Sequence, residues 1–116
     1  MSEEERISIK VVKLLDEYKI VINKGASDGI KLGQVFLVYK EDEELFDPDT
    51  NESLGRLEIV KGKGKVVHLQ TKMATVESIS KKIIITNRSI LFGGNSTTEE
   101  GVPFDNVQIG DLVKPI

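Results

Sequence analysis

Residues 25–39 read Gly25-Ala-Ser-Asp-Gly29-Ile-Lys-Leu-Gly33-Gln-Val-Phe-Leu-Val-Tyr39, three glycines at four-residue spacing followed by a dense run of β-formers. Glycine reaches positive φ at little steric cost, so this stretch predicts a tight fold-back leading into a strand. The cadence returns near the C-terminal end. There, Asn106-Val-Gln-Ile-Gly110-Asp-Leu-Val113 echoes Gly29-Ile-Lys-Leu-Gly33-Gln-Val-Phe36 position by position. Two copies of one turn, each feeding a strand, point to a sheet that curls onto itself. The glycines also invite a phosphate-loop reading, but no helix pattern follows them and no Gly-Lys-Ser or Gly-Lys-Thr is present.

Outward from that turn the chain is strand-like nearly throughout. Ile7, Ile9 and Val11 alternate with Ser8, Lys10 and Val12, which predicts a first strand over residues 6–15. A helical stripe through Val11, Val12, Leu14 and Leu15 competes, and the β-branched density decides for strand. After a turn at Asp16-Glu17, residues 19–23 give a hairpin partner. Residues 41–44, Glu-Asp-Glu-Glu, read as a solvated turn or strand tip. The run Asp47-Pro-Asp-Thr-Asn-Glu-Ser53 gathers turn-forming residues into one hairpin loop. Residues 57–60 and 65–69 read as separate strands divided by Lys61-Gly-Lys-Gly64, and 73–78 as another. Residues 81–92 are Ile-rich and suit an additional strand. The tract Gly93-Gly-Asn-Ser-Thr-Thr-Glu-Glu-Gly101 lacks any apolar residue and is expected as a mobile loop. A last strand after Gly110 should pair with an early one and close the sheet.

At 116 residues the chain suits a single domain with one core. Hydrophobic residues make up 39%, leaning to Val, Ile and Leu with no Trp, which favours half-buried strands over a large aromatic core. With 16 Lys and Arg against 19 Asp and Glu, the formal charge is −3, so no overall positive field draws in a phosphate backbone. The absence of cysteine removes disulfides, thiolate catalysis and the usual structural zinc sites. No apolar run approaches the ~20 residues of a membrane-spanning helix. The opening Met1-Ser-Glu-Glu-Glu-Arg6 lacks the basic and apolar regions of a signal peptide. Compartment stays open: cytoplasmic if Met1 is native, periplasmic or envelope if the sequence is a piece of an exported chain.

The motifs Asn23-Lys-Gly-Ala-Ser-Asp-Gly-Ile-Lys-Leu-Gly-Gln-Val-Phe-Leu-Val-Tyr39 and Asp47-Pro-Asp-Thr-Asn-Glu-Ser-Leu-Gly55, with Val66-Val67 and Ala74-Thr-Val76 after them, resemble the C-terminal domain of flagellar assembly protein T. The resemblance covers residues 7–79 and 106–114. It implies a small barrel with a Gly-Asp turn before a strand, an Asp-Pro hairpin, and a Gly-Asp-x-Val segment at the end. Gln34 stands where that family prefers Asp, and Asn51 where it prefers Gly, a mild change because Asn is the next-best residue for positive φ. Residues 79–105 are the larger departure. None of the shared pattern is catalytic, so what the resemblance implies for function is a role in assembly or packing.

Three constellations merit weighing for chemistry. Asp47, Asp49, Asn51 and Glu58 fall at positions 1, 3, 5 and 12 of a calcium-loop pattern. Glu52 sits where such a loop needs Gly, Pro48 stiffens it, and no helices flank it, so the aspartates are better read as bonding their own backbone. His68 is the one histidine, and an isolated imidazole builds neither a metal site nor a triad. Lys61, Lys63 and Lys65 form the local basic cluster, which Lys81, Lys82 and Arg88 could extend; an anion could settle there, yet no aromatic stacking platform is interleaved. The carboxylates of residues 41–44 lack an apolar pocket to raise a pKa.

The sequence therefore predicts an all-β chain, a small, partly closed barrel of six or seven mostly antiparallel strands, with residues 93–101 as a mobile loop. Its expected function is a non-catalytic assembly or protein-interaction module, with no catalytic residue, metal or cofactor assigned. A protein partner or self-association is expected, with no membrane span and no small-molecule substrate. The alternative is a barrel binding nucleic acid or another anion through Lys61, Lys63 and Lys65, and a metal-dependent enzyme ranks last.

Overall fold

The computed structural model describes residues 8–87 and 95–116. Its strands are β1 (Ile9–Leu14), β2 (Lys19–Ile22), β3 (Val35–Phe46), β4 (Ser53–Leu69), β5 (Ala74–Ser78), β6 (Lys81–Asn87), β7 (Asn95–Gly101) and β8 (Leu112–Pro115). Six of them close an antiparallel barrel in the order β1-β2-β5-β4-β3-β8, and β6 pairs with β7 in a separate two-stranded sheet. The last strand closes the ring as the sequence predicts: β8 pairs β1 through Ile9 with Val113 and β3 through Val38 with Val113.

The echoed turns are structural twins. Gly33 and Gly110 both hold left-handed φ (83° and 97°), and so do the preceding Gly29 and Asn106 (87° and 51°). In the first turn the Gln34 side chain accepts a hydrogen bond from the Lys31 N–H at 3.1 Å; in the second Asp111 accepts from the Gln108 N–H at 2.7 Å. Each glycine then anchors the turn across the barrel, Gly33 N–H to the Val66 carbonyl and Gly110 N–H to that of Val11, both at 2.8 Å. A left-handed residue followed by a side chain that caps the turn is the local geometry that aims β3 and β8 side by side.

Inward residues fill the barrel as the two-residue period requires. Ile20, Ile22, Phe36, Val38, Ala74 and Val76 are wholly buried, with Val11, Val66 and Val113 nearly so. Phe104, on the segment entering β8, plugs one end. Its ring lies against Gly62 and Gly64, where an added Cβ would come within 2.9 and 3.0 Å of ring atoms. Aromatic carbon thus occupies the space that two missing side chains leave open.

Four sequence expectations are corrected or bounded here. Lys61-Gly-Lys-Gly64 does not divide two strands: β4 runs unbroken through it, because an irregularity between Val38/Gly62 and Tyr39/Val60 absorbs one extra residue without interrupting pairing. Residues 41–44 belong to β3 and not to a turn. Residues 95–101 form β7, where a loop was expected; Lys81 and Lys82 pair with Glu99 and Glu100 at 3.5 and 3.3 Å, so strand pairing across to the Ile-rich β6 orders a tract that has no apolar residue of its own. Residues 88–94, including Arg88 and the start of the expected loop, and residues 1–7, the start of the first expected strand, lie outside the described residues.

The long β3–β4 hairpin overshoots the barrel. Beyond Tyr39 and Val60, residues 40–46 and 53–60 pair only with each other, closed by the 47–52 loop. With two such ribbons the radius of gyration is 18.6 Å, against about 13 Å for a compact chain of this length.

Candidate interaction surface

The β3–β4 ribbon has two distinct faces. Along β4, Arg56, Glu58 and Val60 share one face and Leu57 and Ile59 the other, since side chains alternate. Leu45 lies opposite Gly55 and therefore on the Leu57 face. Leu45, Leu57 and Ile59 thus make an apolar stripe that continues the barrel's inner face beyond its mouth, yet they stay 36–40% exposed. At the tip Phe46 and Leu54 are more exposed still, at 53% and 65%. The other face is a charge lattice. Lys114 donates to both carboxylate oxygens of Glu58 at 2.8 and 2.9 Å and sits 4.8 Å from the centre of the Tyr39 ring. Arg56 lies 3.7 Å from Glu41 and donates to the Asp42 carbonyl at 3.0 Å.

These contacts perturb two groups. Burial pushes the Tyr39 phenol up, with neighbouring Lys114 opposing and Glu58 and Glu41 adding to the rise. Lys114 is also held above its ordinary value, chiefly by the hydrogen bond it gives Glu58. Both effects strengthen the hold on a proton that is already bound at neutral pH, so neither group is readied for acid–base work.

The basic cluster comes apart. Lys61 occupies the irregularity in β4, which turns its side chain inward to Asp111 at 2.7 Å and to the Asn106 carbonyl at 3.0 Å; the two ionic side chains are only 7% and 9% exposed. Lys63 and Lys65 remain exposed on β4. The pair fastens β4 to the turn before β8. Sequence reading missed it, although the echo places Asp111 at the capping position of Gln34, where a carboxylate in a tight turn invites a cation.

The calcium-pattern residues also separate. The Asp47 carboxylate accepts from the N–H groups of Asp49 and Thr50 at 2.7 and 3.1 Å, the self-bonded loop that turn chemistry predicts, and Glu58 lies down the ribbon on Lys114. Asn51 takes the positive φ, 62°, where the resemblance expects Gly. Among the described residues no three His, Asp or Glu side chains converge as a metal site. His68 is exposed on β4, opposite Thr75. An open groove of about 400 Å³ beside the plugged end is lined by Leu14, Phe104 and Val107 with Asp16 and Glu17 at its edge; Asp16 is occupied in part by the Tyr18 N–H at 2.7 Å.

The fold and this surface define a small closed antiparallel barrel that carries projecting ribbons. No known family model matches the chain, and no curated protein matches its sequence. Among the described residues no helix is long and apolar enough to cross a membrane.

Proposed function

We propose that the chain is a non-catalytic assembly or protein-interaction module, of the flagellar or cell-envelope type that its turn and hairpin motifs resemble. The observation that carries this reading is the β3–β4 ribbon. A two-stranded ribbon is marginal in water by itself, and this one holds Leu45, Leu57 and Ile59 in a stripe with nothing over it. Such a feature gains stability when another surface covers it. The anion-binding alternative is weakened by the burial of Lys61 against Asp111, which leaves Lys63 and Lys65 as two dispersed charges.

Chemical cross-linking and affinity capture test the reading. The intact chain should cross-link to itself or to a protein partner, and Leu57→Asp should lose that contact while its melting temperature holds. A monodisperse monomer that captures nothing contradicts the proposal. Fluorescence anisotropy with single-stranded oligonucleotides at low salt should show no binding; affinity that falls as salt rises would favour the alternative.

A further inference from the structure

The two free edges of the ribbon differ in kind. On β3 the edge residues run Lys40-Glu-Asp-Glu-Glu44, four consecutive carboxylates, and the pairing slips by one residue between Glu41 and Glu44. Charge and irregularity together discourage any strand from adding there. On β4 the edge reads Gly55-Arg-Leu-Glu-Ile-Val60 and pairs regularly from Arg56 to Val60. Among the described residues, positions 53–60 of β4 make no strand pairing except to β3. One edge is protected and its neighbour is open.

We propose that the open β4 edge pairs antiparallel with the same edge of a second copy of this chain, about a two-fold axis at Leu57, joining two ribbons into one four-stranded sheet. This rests on the interaction-module reading and names its partner. The register follows from charge. With Leu57 opposite Leu57, Arg56 faces Glu58 of the second copy and Glu58 faces its Arg56, while Gly55 lies across from Ile59. Shifting the axis to residue 56 sets Arg56 against Arg56, and shifting it to 58 sets Glu58 against Glu58. Half-step registers place a charge against Leu57, Ile59 or Gly55. Directly opposed unlike charges stabilise a strand pair and like charges oppose it, so the Leu57-centred register is the self-complementary one. Arg56 is free to serve it, since its ion pair with Glu41 is long at 3.7 Å and its side chain is 61% exposed. Glu58 retains acceptor capacity beyond Lys114, because a carboxylate offers about four lone-pair sites. Two-fold pairing uses the same patch on both copies and closes after two, so no open-ended fibre results.

Sedimentation equilibrium of the full chain across a concentration series tests this. The wild type should show a reversible monomer–dimer equilibrium. Arg56→Glu and Glu58→Arg should each weaken it by about tenfold or more, since each creates two like-charge contacts per dimer. The double variant R56E/E58R should restore association. Far-UV circular dichroism and melting curves confirm that each variant is folded, and Arg56→Glu changes an exposed side chain, so it stands as the primary variant. A wild type that stays monomeric up to about 1 mM overturns the self-pairing, and so does a dimer indifferent to all three variants. If the monomer still cross-links another protein through the ribbon, self-pairing alone fails. If it captures nothing, the interaction-module reading fails with it.

Discussion

The barrel and the β3–β4 ribbon are made from the same two strands, yet they obey opposite rules. Between Val35 and Tyr39 the alternation buries Phe36 and Val38 completely. From residue 40 onward the same strand buries nothing, and Leu45 and Phe46 lie 36% and 53% exposed. The difference is neighbours. Inside the barrel β3 is flanked by β4 and β8, so every backbone edge is used. Past Tyr39 β8 has ended, and β3 has β4 alone. Apolar side chains that the barrel would have enclosed are thereby left for another surface to cover.

The sharpest way to break the comparison is to empty the barrel. Phe36→Ala should cost about 3–5 kcal/mol in urea denaturation, the range for deleting a fully buried aromatic. A cost near 1 kcal/mol would mean that the barrel is no better packed than the ribbon. Lys61→Ala should cost a comparable or slightly smaller amount, about 3–4 kcal/mol, because it strands the Asp111 carboxylate in a buried site. Replacing both partners, as Lys61→Met with Asp111→Leu, should recover much of that loss.

The ribbon itself should be nearly dispensable for folding. Joining Tyr39 to Val60, which face each other in the ladder, through Asn-Gly supplies a two-residue hairpin turn in place of residues 40–59. The shortened barrel should unfold cooperatively within about 1 kcal/mol of the parent, the loss including the exposed Lys114–Glu58 pair. Its self-association should vanish. Retained association would move the interaction surface elsewhere.

The smallest expected effect is at the junction of the two regions. Tyr39 and Lys114 both bind their protons more tightly folded than unfolded. Their contribution is therefore complete below their unfolded values near 10 and is lost as pH climbs through the folded ones. Chemical-denaturation midpoints should stay level from neutral pH to about 9.5 and decline above about 10. Tyr39→Phe should decline less steeply, and a midpoint that rises in that range would contradict the assignment.

How much of this was legible in the sequence depends on how local the cause is. Gly33 and Gly110 announced their turns because positive φ is a steric property of one residue. Asp47 announced its loop because a short carboxylate reaches the N–H groups two and three residues on. Residues 61–64 misled because glycines and lysines do read as a turn when taken alone. In β4 those glycines leave room for Phe104, forty residues away, and Lys61 meets Asp111, fifty residues away. Residues 95–101 misled for the same reason: polar in sequence, they acquire strand structure from β6. The proposed interaction surface was not visible at all, since an alternating strand is written alike whether its outer neighbour exists or not.

By itself, then, the sequence determined the all-β class, the paired turns and the return of the last strand, because φ preference and two-residue alternation act within a few residues. Tertiary structure decided that β4 is one strand, that Lys61 is buried, that residues 95–101 pair with β6, and that β3 and β4 leave the barrel as a ribbon. Each of those depends on which distant strand lies alongside, and register across a barrel is set by all its strands together.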